Sequence, residues 1–360
     1  MTARRARGDA PRGGREGAAA LLLAALLAGC AGANRSRAAW PAPPATERIR
    51  YVRSLSGGAD VEGGLARFWR KLAGLDAPAR LYHPLGVAVS AQGDLVAVSD
   101  QGLAQVFIFD LAAGSMVTIA REDLAEPPGG IAIEGDRVWV VVPKRKVALA
   151  FARNGKPLRA LELPDCERPL GIAVDAERGL LWVSDASSPS GQGHAVHGHA
   201  LDGGEHRLTV GRRGHGEGEL FFPTFLALAP GGGLYVSDTM NARVVEFSKD
   251  GAFVRQFGER GDRFGQFDKP KGVALDAFGN VYVVDGFFAA VQIFNPEAKL
   301  LLFFGGPGDS PGFLANPAGI AIDARNRIYV ANGLNFRVDV YELVNTSAAD
   351  GRGAGAVAGR

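Results

Sequence analysis

The sequence predicts an all-β fold in which six copies of one four-stranded unit close into a ring, a six-bladed β-propeller. Two observations predict it. One template recurs six times, and a strand-like segment upstream of the repeats matches a deficit in the last copy. The template opens Pro-x-Gly, continues with an apolar-Ala-apolar triplet and a turn, and ends in a second apolar run closing on Asp. Its copies begin at Pro84, Pro128, Pro169, Pro223, Pro270 and Pro317, spaced 44, 41, 54, 47 and 47 residues apart. That period holds four short strands with their turns. Val, Ile, Tyr and Phe dominate the runs, and each run stops at a Gly, Asp or Asn turn, which excludes a helical repeat. With 50 Gly and 20 Pro in 360 residues and no collagen period, tight turns are plentiful.

Within a unit, strand a is innermost and small (272–275), because large side chains from six blades would collide at the axis. Strand b follows a Gly-containing turn (280–284). Strand c alternates (243–247 and 290–294), and strand d lies outermost (253–257 and 300–304). The sixth copy has strands a, b and c, ending near Tyr341, with no fourth strand. The segment Ile49–Leu55 has a strand pattern and no blade of its own. It is predicted to be strand d of blade 6, which closes the ring and leaves no exposed edge at the seam. The propeller then spans 47–344 as one domain.

The repeated Pro-x-Gly-(Ile/Val)-Ala…(Tyr/Trp)-Val-x-Asp…Val-x-x-Phe pattern resembles NHL repeats over about residues 47 to 343. The chain is also similar to bacterial six-bladed propeller lipoproteins that carry an Arg-x-Arg-Tyr-Val-Arg-Ser stretch, here beginning at Arg48. Three departures stand out: Val142 and Pro143 where Ser/Ala-Asp is usual, Leu226 where Gly is usual, and an insertion in blade 3.

Ahead of the propeller, five arginines (Arg4, Arg5, Arg7, Arg12, Arg15) precede an apolar run over 18–28. The run is too short to span a bilayer and reads as a secretory signal over 1–29. Leu27, Ala28, Gly29 and Cys30 resemble a lipobox, which implies diacylation of Cys30 after cleavage. Ala31 follows in place of Asp, which by that family's sorting rule implies the outer membrane of a Gram-negative cell, facing the periplasm or the surface. Residues 30–46 then form the lipidated cysteine and an Ala/Pro-rich tether, and 345–360 an unpatterned tail. Residues 1–29 carry five arginines against Asp9 and Glu16, a net +3, so the chain's +2 becomes 2 − 3 = −1 after cleavage. No electrostatic footprint for nucleic acid remains.

Two cysteines exclude a disulfide scaffold, a four-cysteine zinc site and covalent haem. The Gly-rich runs at 211–218 and 258–265 lack the strand–loop–helix setting of a phosphate loop and read as blade connectors. Asp100, Asp185, Asp238, Asp285 and Asn332 recur at the end of strand b, and Asp175, Asp276 and Asp323 after strand a. Repetition assigns them to turn capping. Arg243 and Arg337, entering strand c, should pair with nearby carboxylates or carbonyls. Cys166 reads as an unpaired loop thiol.

His197 and His199 lie two residues apart on one strand face, with His194 opposite, so these three are the candidate metal ligands. A solvated Gly/His-rich loop is the plainer reading, and no cofactor is expected. The d-to-a and b-to-c loops should converge on one rim and bring together His83, Lys144, Arg145, Arg168, Phe222, Lys269, Phe287, Phe288 and Asn335. Pro127, Met240, Asn241, Leu334 and Asn316 join them there. Basic and aromatic side chains mixed on a rim suit a contact surface.

The long connector before blade 1 places Leu65, Phe68, Trp69 and Leu72 at helical spacing, ended by Gly74. This amphipathic helix is expected on the rim face with its apolar stripe packed on the blades; a docking role is the alternative. The sequence therefore predicts a membrane-anchored module that binds one or more envelope proteins and not nucleic acid. A metal-dependent propeller hydrolase or lyase, or a small-ligand sensor using the central channel, is the alternative function.

Overall fold

The computed structural model describes residues 38–64, 68–69, 72–73, 78–187 and 193–346. It is a six-bladed β-propeller of antiparallel blades. Blade 1 comprises Pro84–Val89, Leu95–Asp100, Gln105–Asp110 and Ser115–Ile119, and blades 2 to 5 repeat the order from Ile131, Pro169, Pro223 and Pro270. In blade 6 the strands are Pro317–Ile322, Arg327–Asn332 and Arg337–Leu343, and the fourth is Ile49–Leu55. Ile49 stands opposite Leu343 and Leu55 opposite Val338, which closes the ring as the sequence predicts. Part of the segment read as a tether continues this sheet, for Ala39–Trp40 adds a fifth strand outside Ile49–Leu55. Trp40 packs edge-on against Phe313 and Tyr341.

Apolar side chains from facing blades fill the space between them. One cluster joins Ile108 and Val106 of blade 1 to Val138 and Val140 of blade 2, and another joins blades 5 and 6 through Tyr282, Phe304 and Tyr341. Near the axis most blades approach their neighbours so closely that the inner strand takes glycine there. A Cβ on Gly171 would meet Thr224 O at 2.2 Å, and one on Gly319 would meet Leu85 O at 2.7 Å, which completes the ring from blade 6 to blade 1.

The strand registers correct two alignments. Leu226 pairs with Val236 as Ile172 pairs with Val183, so Phe225 occupies the glycine position of blade 4. In blade 2, Ile131 faces Val140, so Val141 and Val142, not Val142 and Pro143, stand where Ser-Asp is usual.

The connector before blade 1 departs further from expectation. Phe68, Trp69 and Leu72 are helical, with Ala73 N–H donating to Trp69 O at 2.9 Å, but they are 58%, 57% and 65% exposed and do not pack on the blades. Leu65 and Gly74 lie outside the described residues. The connector also leaves the rim. Gly58 sits beside Met116 and the Val61 carbonyl beside Gly114, at the blade 1 turn on the opposite face. An amphipathic pattern states which side of a helix is apolar, not what covers it.

On that opposite face, blades 1 and 2 are joined by Arg153, which donates to Asp110 at 2.6 Å and Asp94 at 2.8 Å. Hydrogen bonding, to Ser90 and Arg153 for Asp94 and to Arg153 for Asp110, holds both carboxyls below their usual value. Groups with lowered folded pKa values stabilise the fold above the ordinary carboxylate range, and that contribution fades as pH falls through the lowered values. Arg153→Met should therefore cost about 1 kcal/mol at neutral pH, a figure discounted for screening at this part-exposed site. The deficit should shrink as pH falls below the ordinary carboxylate range, which urea unfolding across a descending pH series checks.

Candidate functional site

The rim is built on one recurring hydrogen-bond pattern. The side chain that ends strand b turns toward the connector entering its own blade and accepts the N–H groups just before the anchoring proline. Asp100 accepts from Tyr82 N at 2.7 Å, His83 N at 2.9 Å and Leu103 N at 3.0 Å. Asp185 accepts from Glu167 N and Arg168 N, both at 2.7 Å. Asp285 accepts from Asp268 N, and Asn332 accepts from Ala315 N, each at 2.8 Å.

Blade 4 divides the task. Asp238 takes Phe221 N at 2.6 Å, while His194 Nδ1 takes Phe222 N at 3.0 Å. Burial pushes Asp185 and Asp238 above the usual carboxylate range, opposed by these same N–H donors. Arg243 binds Asp238 at 2.8 Å and the carbonyls of His215, Gly216 and Glu219, and so shapes the Gly-rich connector. Arg337 does the same with Asp339 and the carbonyls of Asp309 and Ser310. Asp276 and Asp323 cap their turns, accepting from Phe278 N and Arg325 N at 2.9 Å.

The residue just before the buried aspartate reaches the next blade. Ser99 accepts from Gly86 N at 3.0 Å and donates to Gly129 O at 2.7 Å, and Ser184 links Gly171 to Thr224 in the same way. Thus the Ser-Asp pair ties its own connector and its neighbour's inner strand at once.

The loops mounted in this way bring the predicted rim residues to one face. Lys144, Arg145, Arg168, Lys269 and Phe287 are exposed, whereas His83, Phe222, Phe288 and Asn335 are half-buried. Arg168 lies 5.8 Å over the Phe222 ring, and Asn335 donates to Gly308 O at 2.9 Å. The surface is divided. The blade 2 loop presents Lys144, Arg145 and Lys146, while the loops of blades 4 to 6 present Met240, Phe287, Leu334 and Phe336, the last stacked on Tyr82 at 5.4 Å.

Beside the charged part lies a cleft of about 510 Å3 lined by Gln101, Glu126, Lys144, Glu167, Arg168 and Leu170. Glu126 approaches Lys144 at 3.7 Å. Sequence reasoning missed Gln101, Glu126 and Glu167, and also Lys271, which bonds Asn316 at 2.9 Å. Burial, then the charge of Lys269, lowers the Lys271 pKa. Lys271 was legible as the one charged residue directly after an anchoring proline.

A larger cavity, about 980 Å3, opens on the opposite face among Arg137, Arg159, Arg178 and Arg207. Each arginine there already has a protein partner: Glu134, the Leu201 carbonyl, the Lys249 carbonyl and Glu205.

The histidines are not a solvated loop. His197 and His199 lie in the buried strand Ala195–Ala200, facing blade 2, whereas His194 packs against Phe221 toward blade 4. Burial, reinforced by His206 and His199, pushes the His197 pKa down to about 4. Cys166 is a free thiol but is fully buried, which excludes it from pairing between chains; burial and then Asp185 push its pKa far up. Cys30 lies outside the described residues.

Fold and rim define a six-bladed propeller with a fixed, partly charged and partly apolar upper face. Solved structures agree on the fold. A protein of unknown function from Bacteroides thetaiotaomicron matches with a TM-score of 0.60 at 17% identity, over 82% of this chain and 75% of that one. A streptogramin B lyase matches at 0.54 and 13% identity, over 73% and 94%. A chain of a nidogen/laminin complex matches at 0.54 and 20% identity, over 70% and 88%. No protein-family model matches the chain. A stretch of 55 residues, 15% of this chain, is 46% identical to the RING finger protein nhl-1 of Caenorhabditis elegans and spans 6% of that protein.

Asp100→Ala strands buried peptide N–H groups and should destabilise the protein by about 3 kcal/mol. Asp100→Asn keeps one acceptor, as Asn332 does in blade 6, and should cost less than half as much in denaturant midpoint.

Proposed function

We propose that this chain is an NHL-type propeller lipoprotein of a bacterial outer membrane that binds a protein partner of an envelope complex through its rim. The observation that carries this reading is the exposed set Met240, Phe287, Leu334 and Phe336 on consecutive loops, on the same face as the cations of blade 2 across the ring. Exposed aromatic and aliphatic anchors on a face that also carries cations have the composition of binding hot spots. Loops held by buried hydrogen bonds lose little freedom on binding, which favours a rigid docking face.

The lipid anchor would also set the propeller's distance from the bilayer. Eight chain steps separate Cys30 from Ala38, whose carbonyl accepts Tyr51 N–H at 2.9 Å. Eight extended residues span at most about 28 Å, so the outer edge of blade 6 would stay close to the membrane. Among the described residues no helix is long and apolar enough to cross it.

Two experiments test this reading. Cys30→Ser should move the protein from the membrane fraction to the soluble fraction and abolish labelling by palmitate; unchanged membrane retention and labelling would refute lipidation. Affinity capture from gently solubilised envelopes should recover a stoichiometric partner. The pair Phe287→Ser with Leu334→Ser should lose that partner without changing the melting temperature, because both side chains are exposed. A partner retained by this variant would place the contact elsewhere.

A further inference from the structure

We propose that Cys166, Asp185 and His197 form a buried zinc site that pins the connector between blades 2 and 3. Each offers one ligand atom, and the three atoms lie within 4.8 Å of one another. A thiolate, an imidazole and a carboxylate together suit zinc better than magnesium or calcium, which take oxygen donors. Zinc–ligand bonds of about 2.0–2.3 Å put tetrahedral ligands about 3.5 Å apart, so binding needs a contraction near 1 Å. Water fills the fourth position, and the thiol proton leaves to solvent as the zinc–sulfur bond forms.

The independent observation is an orphaned nitrogen. His197 is only 7% exposed, its Nδ1 faces Thr209 Oγ1 at 3.2 Å, and its buried Nε2 has no hydrogen-bond partner. Buried polar atoms without partners are rare and call for an explanation.

The other blades show what is unusual here. In blade 6 the same two strand positions hold Asn332 and Asp339, which bond directly at 2.6 Å. The pair Asp185 and His197 stands in that relation without such a bond. Three residues before the anchoring proline, other blades carry the buried apolar Leu81, Leu220, Phe267 and Leu314; blade 3 alone places a thiol there. The site is also connected to the rim, since Asp185 holds the N–H groups of Glu167 and Arg168, which line the cleft.

The full-length protein, purified without chelator and then stripped, is titrated with Zn2+ and with Co2+ alone. We expect one tightly held metal per chain, a thiolate-to-cobalt charge-transfer absorption, and a melting temperature raised by Zn2+. Cys166→Ser and His197→Gln should each weaken Zn2+ binding by more than ~100-fold while the metal-free proteins melt with a normal cooperative transition. If either variant fails to fold, the cobalt spectrum of the native chain decides, because it requires a sulfur ligand. No metal bound, or cobalt bound without that absorption, overturns the proposal. Metal kept by Cys166→Ser but lost on His199→Gln overturns it too, and would assign the ion to the strand histidines.

Discussion

The hydrogen bond from a connector's peptide N–H to the buried side chain closing strand b is the constraint on which this propeller's upper face depends. A connector that dives from the outer edge of one blade to the inner strand of the next must bury polar backbone at the turn. Each peptide N–H left without an acceptor there would cost about 1–3 kcal/mol. The carboxylate supplies the acceptor, and the proline that follows needs none, because it has no N–H to satisfy. One carboxylate thus fixes where strand a begins, and the neighbouring Ser passes the constraint to the next blade through a carbonyl such as Gly129 O. The glycines at the axis then permit the approach that these bonds demand.

The exceptions show that the rule concerns donors and not the identity of aspartate. Blade 2 ends strand b on Val142, and there the residue before the anchoring proline is itself Pro127, so one of the two usual donors is missing. An aspartate in that position would bury a charge with less to hold it, and an apolar residue is the cheaper solution. In blade 4 the second donor, Phe222 N, goes to His194, which reaches across from blade 3. In blade 6 an amide suffices, because Asn332 Oδ1 accepts while its Nδ2 donates to Phe313 O and Asp339.

The repeats, the strand order and the closure by Ile49–Leu55 were legible because each rests on period and on counting strands. The capping role of Asp100 and its equivalents was legible as well, since a residue repeated in most blades serves the blade. What stayed hidden depends on contacts between distant segments. Cys166, Asp185 and His197 are joined only when the connector folds over two strands of blade 3. Glu126 reveals its part only beside Lys144. The helix of Phe68, Trp69 and Leu72 was legible as a helix, but its direction was not. Gly58 and Val61 carry the chain down the side of blade 1, and no local pattern records that turn.

The departures from the template gather in blades 2 and 3, and so does the charged cleft. Val142 replaces the capping carboxylate, the blade 3 insertion lengthens the loop before His194, and Cys166 takes an apolar position. The strand order common to all six blades supplies a stiff frame, and the positions that break the template supply individuality. The same scaffold serves a lyase among the structural neighbours, so the fold by itself does not decide between catalysis and binding. The decision rests on what the frame presents. Toward the channel mouth it presents Lys271, already bonded to Asn316, and on the rim a paired Glu126 and Lys144 with, across the ring, uncovered Phe287 and Leu334. Apolar side chains left exposed on a stiff rim suit the docking role proposed above.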